Sequence, residues 1–232
     1  MRGSQFLTLL NMLRDELRRS TDPAVSSSDA DGLKRVLNRN YEFLYTDYDW
    51  PILRTVFSSD PMLPGEYLYD LHEIDPERIE KVAVWSNDAA RTATRGIGFE
   101  QYSLHDTETG ERSSPVTHWD LRAVNNEVQY EVWPTPDDTP QWVQIIGWKK
   151  FKRLVNDIDQ CLLDDNLVVA FSAAELLTAQ GSADAEAKTR SAQALYVRLR
   201  SRLKAGSKTY TLTDGGSNKP PPQVVVMVNQ GS

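Results

Sequence analysis

The sequence predicts an α+β fold: a four-helix core built from two N-terminal and two C-terminal helices, an inserted antiparallel β domain, and an extended C-terminal tail. Three observations predict it. Apolar residues recur at helical spacing up to about residue 50 and again from about residue 164. Between Pro51 and about residue 151 the period falls to two. From Ser207 onward the composition changes to Gly and Pro, followed by a valine run. The expected divisions are a helical core over 1–50 and 160–206, a sandwich- or barrel-like β domain over 51–159, and a tail over 207–232.

The first helix is expected from about Ser4 to Arg19. Phe6, Leu10, Leu13 and Leu17 fall on one face, widened by Leu9 and Met12, and Ser20-Thr21-Asp22-Pro23 stops it. The second begins near Ser28, where Asp31 three residues on gives a variant capping box. Its apolar face is Leu33, Val36, Leu37, Tyr41, Leu44 and Tyr48. Five of the 21 aromatics lie between Tyr41 and Trp50. Pro51 holds Trp50 extended, so the helix ends before that pair.

In the central region Val128, Tyr130 and Val132 alternate with Glu127, Gln129 and Glu131, the pattern of a half-buried strand. Trp119–Arg122 precedes it across Asn125-Asn126, a hairpin turn because Asn tolerates positive φ. Trp142–Trp148, Tyr67–Leu71 and Ile79–Trp85 read as further strands, and Ile97–Leu104 as one more.

The third helix opens at Asp164-Asp165-Asn166, with acids at the positive end of its dipole. Its stripe is Leu167, Val168, Phe171, Ala174 and Leu177. Gly181 ends it. The fourth runs to about Lys204 with Ala185, Ala192, Leu195, Tyr196, Leu199 and Leu203 inward, and Gly206 as its C-cap. The short connection makes the last two helices antiparallel neighbours. The tail joins Asp214-Gly215-Gly216-Ser217-Asn218 to the stiff Pro220-Pro221-Pro222 and the β-prone Val224, Val225, Val226, Met227 and Val228. Fully extended, the tail spans roughly 85 Å.

The chain has 232 residues and a net charge of −7, unevenly spread. Residues 188–208 hold Lys188, Arg190, Arg198, Arg200, Arg202, Lys204 and Lys208 and no acid; elsewhere 19 bases face 33 acids. Surfaces of opposite sign follow, suited to pairing head-to-tail between copies or to different partners. Of the basic helix end, Arg198, Arg202 and Lys204 form a candidate charged interface. Arg198 and Arg202 share a face, while Arg200 points elsewhere. Three readings stand: a solvated face favoured by the dipole, a dock for an acidic protein patch, and phosphate contact with nucleic acid. The tail also has alternatives. Val224–Val228 is a strand of its own sheet or disordered, or it adds to the sheet edge of another subunit.

The one cysteine, Cys161, excludes an internal disulfide and fits a buried thiol. No run reaches the ~20 apolar residues of a membrane span, and Arg14 and Asp15 break the apolar run at the N-terminus, so the expected place of synthesis is the cytoplasm. His72, His105 and His118 lack ligand spacing, so no metal site is expected. No nucleophile elbow or phosphate loop is present. Gly96-Ile97-Gly98 reads as a bulge or turn. No pair of carboxylates stands out as an acid/base couple. Neither catalytic residues nor a cofactor are expected. Glu175 reads either as a solvated residue or as an ion-pair partner across a helix interface.

Four words, in order, resemble the head-to-tail adaptor (connector) proteins of tailed bacteriophages, the group of the tail tubular A protein. They are Asn38–Tyr45 through Asp47-Tyr48-Asp49-Trp50-Pro51, Pro76–Val82, Tyr130–Pro134, and Asp164–Leu167 through Ala173–Leu177. The resemblance implies a four-helix core with an inserted β domain. It also implies a dodecameric ring of copies under the portal protein, a channel through which genomic DNA passes without sequence-specific binding, and a platform for tail or nozzle proteins. No membrane role and no cofactor come with it. It places the chain in the virion neck, and the C-terminal segment with Pro220–Pro222 and Val224–Val228 against the portal. The alternative function is a nucleic-acid-binding accessory protein using the basic helix.

Overall fold

Helix α1, Phe6–Glu16, buries Phe6, Leu9, Leu10 and Leu13 of the expected stripe, while Leu17 falls just past its end and is half-buried, as is Met12. The computed structural model describes residues 3–21, 29–59, 61–87, 89–104, 112–125 and 127–204, with the backbone of 209–211 and 225–227. Helix α2, Ala30–Asp47, buries Leu33, Leu37, Tyr41, Leu44 and Tyr45. Ser28 lies outside the described residues; the residue ahead of α2 is Asp29, whose carboxylate takes Arg19 at 2.7 Å and Arg14 at 3.8 Å. Tyr48 leaves the helix in an extended conformation, and Pro51–Leu53 form a single 3₁₀ turn.

The chain divides into two compact units, 1–48 with 153–232 and 49–152. Residues 153–159, expected with the β domain, lie with the helices. Buried Asn38 fixes them there: its side-chain amide donates to the Leu154 carbonyl at 2.9 Å, and the Leu154 amide donates back at 2.9 Å. The second unit starts at Asp49 and ends at Lys152.

That unit is a sandwich. Its strands are β1 (Arg54–Ser58), β2 (Leu68–Asp70), β3 (Ile74–Ser86), β4 (Ala89–Thr92), β5 (Thr94–Arg95), β6 (His118–Val124), β7 (Glu127–Trp133) and β8 (Gln141–Lys149). One sheet runs β1-β8-β3-β4 and the other β2-β7-β6-β5. Val82, Val84, Val143 and Ile145 from the first meet Trp119, Tyr130 and Val132 from the second in one core. The pairing is antiparallel except that β5 runs parallel to β6. Asn125, at φ 50°, turns β6 into β7 with Val124 opposite Glu127. Gly147 sits where β3 bulges between Ile79 and Lys81; a Cβ there would stand 2.8 Å from the Arg78 carbonyl.

The strand expected at Ile97–Leu104 is instead helix α3, Phe99–Leu104. The cause is local. Gln101 accepts the Gly98 amide at 2.8 Å, the backward half of a capping box, three residues into a helix that Gly98 begins.

Helix α4, Asp165–Ala179, is capped by Asp164, which accepts the Leu167 amide at 3.3 Å. It packs against α1, α2 and α5, and its middle buries Leu167, Val168, Val169, Ala173 and Ala174. Phe171, expected inward, is half-buried, edge-on to Tyr196 at 6.1 Å. Asp165 is fully buried and accepts the Ser4 hydroxyl at 2.7 Å. The Tyr41 hydroxyl accepts the Leu162 amide at 3.2 Å. Gly181, at φ 64°, ends α4 before α5, Ala185–Lys204. Gly206 lies outside the described residues. The tail is not extended throughout: Val225–Met227 (β10) pairs antiparallel with Thr209–Thr211 (β9). β-branched and aromatic residues in Thr209-Tyr210-Thr211 match those of Val225-Val226, which favours a two-stranded ribbon.

Candidate interaction surfaces

Helix α5 has two unlike faces. The inward one is held by specific contacts. Arg200 lies over the Tyr48 ring at 4.6 Å and the Tyr196 ring at 5.1 Å, and donates to the Tyr196 hydroxyl at 2.9 Å. That hydroxyl donates to Asp47 at the end of α2. Burial and the Asp47 carboxylate raise the Tyr196 pKa, so it stays a donor at neutral pH. Lys188 pairs with Glu16 of α1. Ala192 is the buried residue of this face, with Leu195, Leu199 and Leu203 half-buried beside it.

The outward face carries Arg190, Ala194, Val197, Arg198, Ser201 and Arg202, all exposed. Arg198 and Arg202 point the same way and make no salt bridge among the described residues, whereas Arg200 turns inward as its spacing predicts. Lys204 closes the helix. Val197, 60% exposed, is the apolar residue the helical stripe missed. It falls outside the inward register and lies between arginines, which is the signal that places it on the surface.

Of the tail, Pro220, Pro221, Pro222, Val224 and Val228 lie outside the described residues. Val225, Val226 and Met227 are the β10 strand of the ribbon.

The other charged residues singled out in the sequence have local roles. Glu175 is an ion-pair partner across helices: it accepts the Asn40 amide at 2.7 Å and pairs with Arg39. His118 meets the Thr117 hydroxyl at 2.9 Å, and His72 lies 4.9 Å from the Phe57 ring. His105 lies outside the described residues. Among the described residues no group of three or more His, Cys, Asp or Glu is placed to hold a metal ion. Burial pushes the Cys161 thiol up to about 12, with Asp165 and Asp164 adding to the shift. The thiol is therefore protonated and a poor nucleophile at neutral pH. No described helix is long and apolar enough to cross a membrane.

The β unit has its own surface feature. Val128, expected inward with Tyr130 and Val132, is 44% exposed because β7 begins beyond the edge of the sandwich core. It borders a groove of about 410 Å³ lined by Leu71 and Pro76, with Asp70, Glu127 and Lys150 at its rim. Glu73 and Glu77 stand exposed on the neighbouring turn and strand. Glu77 and Glu127 make no salt bridge among the described residues, while Glu73 has Lys149 at 3.9 Å.

No known family model matches the chain, and no curated protein sequence matches it.

Proposed function

We propose that this chain is a structural adaptor of a bacteriophage neck, working without a catalytic step. Copies form a ring beneath the portal protein, lengthen the channel through which DNA leaves, and present a platform to tail proteins. Support comes from a helical unit assembled from both ends of the chain around an inserted β unit, the organisation that the resemblance implies.

The terminal ribbon pairs Val225–Met227 within its own chain, the own-sheet alternative for the tail, and the reading rests on the edge that this pairing leaves over. Its strands pair over three residues each, and a two-stranded ribbon is at best marginal in water. One edge of Val225–Met227 is used by β9; the other offers main-chain donors and acceptors to a partner's sheet edge. One edge of a three-residue strand makes roughly two to four main-chain hydrogen bonds, of about 1 kcal/mol each. One contact is weak, and a ring of them is strong through multivalency.

The test is deletion of 219–232. The truncated chain keeps its circular dichroism spectrum and its helical melt but no longer co-sediments with portal particles. A truncated chain that still co-sediments overturns the anchoring role.

A further inference from the structure

We propose that the outward face of α5 docks into the acid-rimmed groove of the β unit on a second copy of this chain. The inference rests on the ring reading above and names the contact that would join its members.

Three properties match. The first is charge. The helix face presents Arg190, Arg198 and Arg202. The groove presents Asp70 and Glu127, with Glu73 and Glu77 alongside, against one rim cation, Lys150. Over the whole chain the β unit holds 18 acids and 10 bases, and the helical unit 15 acids and 16 bases. The excess of acids belongs to one unit, and Arg198 and Arg202, which make no salt bridge among the described residues, belong to the other; Arg190 beside them pairs with Glu186 at 3.4 Å. The second is apolar content. Val197, 60% exposed, stands between the arginines, and Val128, 44% exposed, stands at the groove. Val197 has Arg198 beside it, and Val128 shares the groove with Leu71 and Pro76 inside a charged rim, which gives a small dry centre and a polar rim. The third is access. Ala194 and Ser201 flank Val197 on the face, so a partner's backbone can come close. The helix is about 30 Å long, enough to span such a groove with charge contacts on both sides.

The contact joins different patches of identical chains. It is therefore heterologous, and repeated copies close into a ring when the rotation allows it. Duplex DNA is the rival ligand for the same arginines.

The experiment uses the full chain in two charge-reversed forms, Arg198→Glu with Arg202→Glu, and Asp70→Lys with Glu127→Lys. All four positions are exposed, and a circular dichroism melt checks that each form folds. Self-association is followed by sedimentation velocity at about 0.05 M and about 0.5 M salt, where screening lengths differ severalfold. The wild type associates at low salt and dissociates at high salt. Each reversed form alone associates at least about tenfold more weakly. An equimolar mixture associates again, because acidic helices then meet basic grooves and basic helices meet acidic grooves. A mixture that fails to associate, or a reversed form that associates like the wild type, overturns the contact. So does a helix-reversed form that loses only duplex DNA binding, which assigns the arginines to nucleic acid. Portal co-sedimentation of the same proteins is scored separately, so a failed contact with retained portal binding leaves the ring reading standing.

Discussion

The two units of this chain differ in how they use their surfaces. Both units have a dry core: Leu9, Leu37, Tyr41 and Leu167 in the helical unit, and Ile74, Val143 and Ile145 in the β unit, have essentially no exposed area. The polar links of the helical unit, Asn38 to Leu154 and Ser4 to Asp165, tie distant parts of the chain together. Its last helix is then left with one bare, basic face. The β unit carries the negative charge, with eight more acids than bases, and its groove opens beside core residues Leu71 and Ile74. The net charge of −7 therefore describes neither unit. The average hides surfaces of opposite sign, the basis on which pairing between copies is proposed.

The largest effect that sharpens this comparison lies in the helical core. Leu37→Ala, at a position with 0% exposure, costs about 2–5 kcal/mol in the helical unit. Phe171→Ala, at a half-buried position with one edge-on ring neighbour, costs less, on the order of 1–3 kcal/mol. Chemical denaturation of both variants ranks them, and an equal or reversed ranking breaks the description of α4. In the β unit Gly147→Ala forces a Cβ against the Arg78 carbonyl and costs about 1–3 kcal/mol. An unchanged melting temperature would mean that the β3 bulge yields.

The smallest effect is in pH. Burial raises the Tyr41 and Cys161 pKa values in the helical unit, the thiol from 9.0 to about 12. Both groups must stay protonated to remain buried. Their stabilisation is complete below the unfolded pKa values and falls as pH rises through the folded ones, so the helical unit weakens from about pH 9 upward. In the β unit a hydrogen bond from the Arg54 guanidinium lowers the Glu80 pKa, and the Ser114 hydroxyl lowers that of Asp137. Those contributions are present above the unfolded carboxylate pKa and fade as pH falls through the folded values. Tyr69, raised to about 12 by burial, gives the β unit an alkaline limit too. Unfolding followed at pH 3, 7 and 10.5 checks the asymmetry: Glu80→Gln flattens the acid limb, and Cys161→Ala flattens the alkaline one.

Much of the fold was legible because periodicity and turn chemistry are local. The α1 and α2 stripes, the cap at Asp164, the turn at Asn125 and the stop at Gly181 all follow from residues within a few positions. The misses were of other kinds. At 98–104 the alternation of apolar residues outweighed the Gly98 and Gln101 capping signal. Residues 153–159 have no period of their own, and the bond that assigns them comes from Asn38, over a hundred residues away. Glu175 was placed by Arg39 and Asn40, partners that its own neighbourhood does not reveal. Of the candidate surfaces, the shared direction of Arg198 and Arg202 follows from helical spacing alone. The exposure of Val128 does not, because alternation predicts the face of a strand but not where the opposite sheet ends.

The most direct measurement is electron microscopy of the full-length chain mixed with portal particles. The account predicts a ring of copies beneath the portal, continuous with its channel, and loss of that ring when 219–232 are deleted. Portal particles that stay bare in the presence of folded, concentrated full-length chain would contradict it.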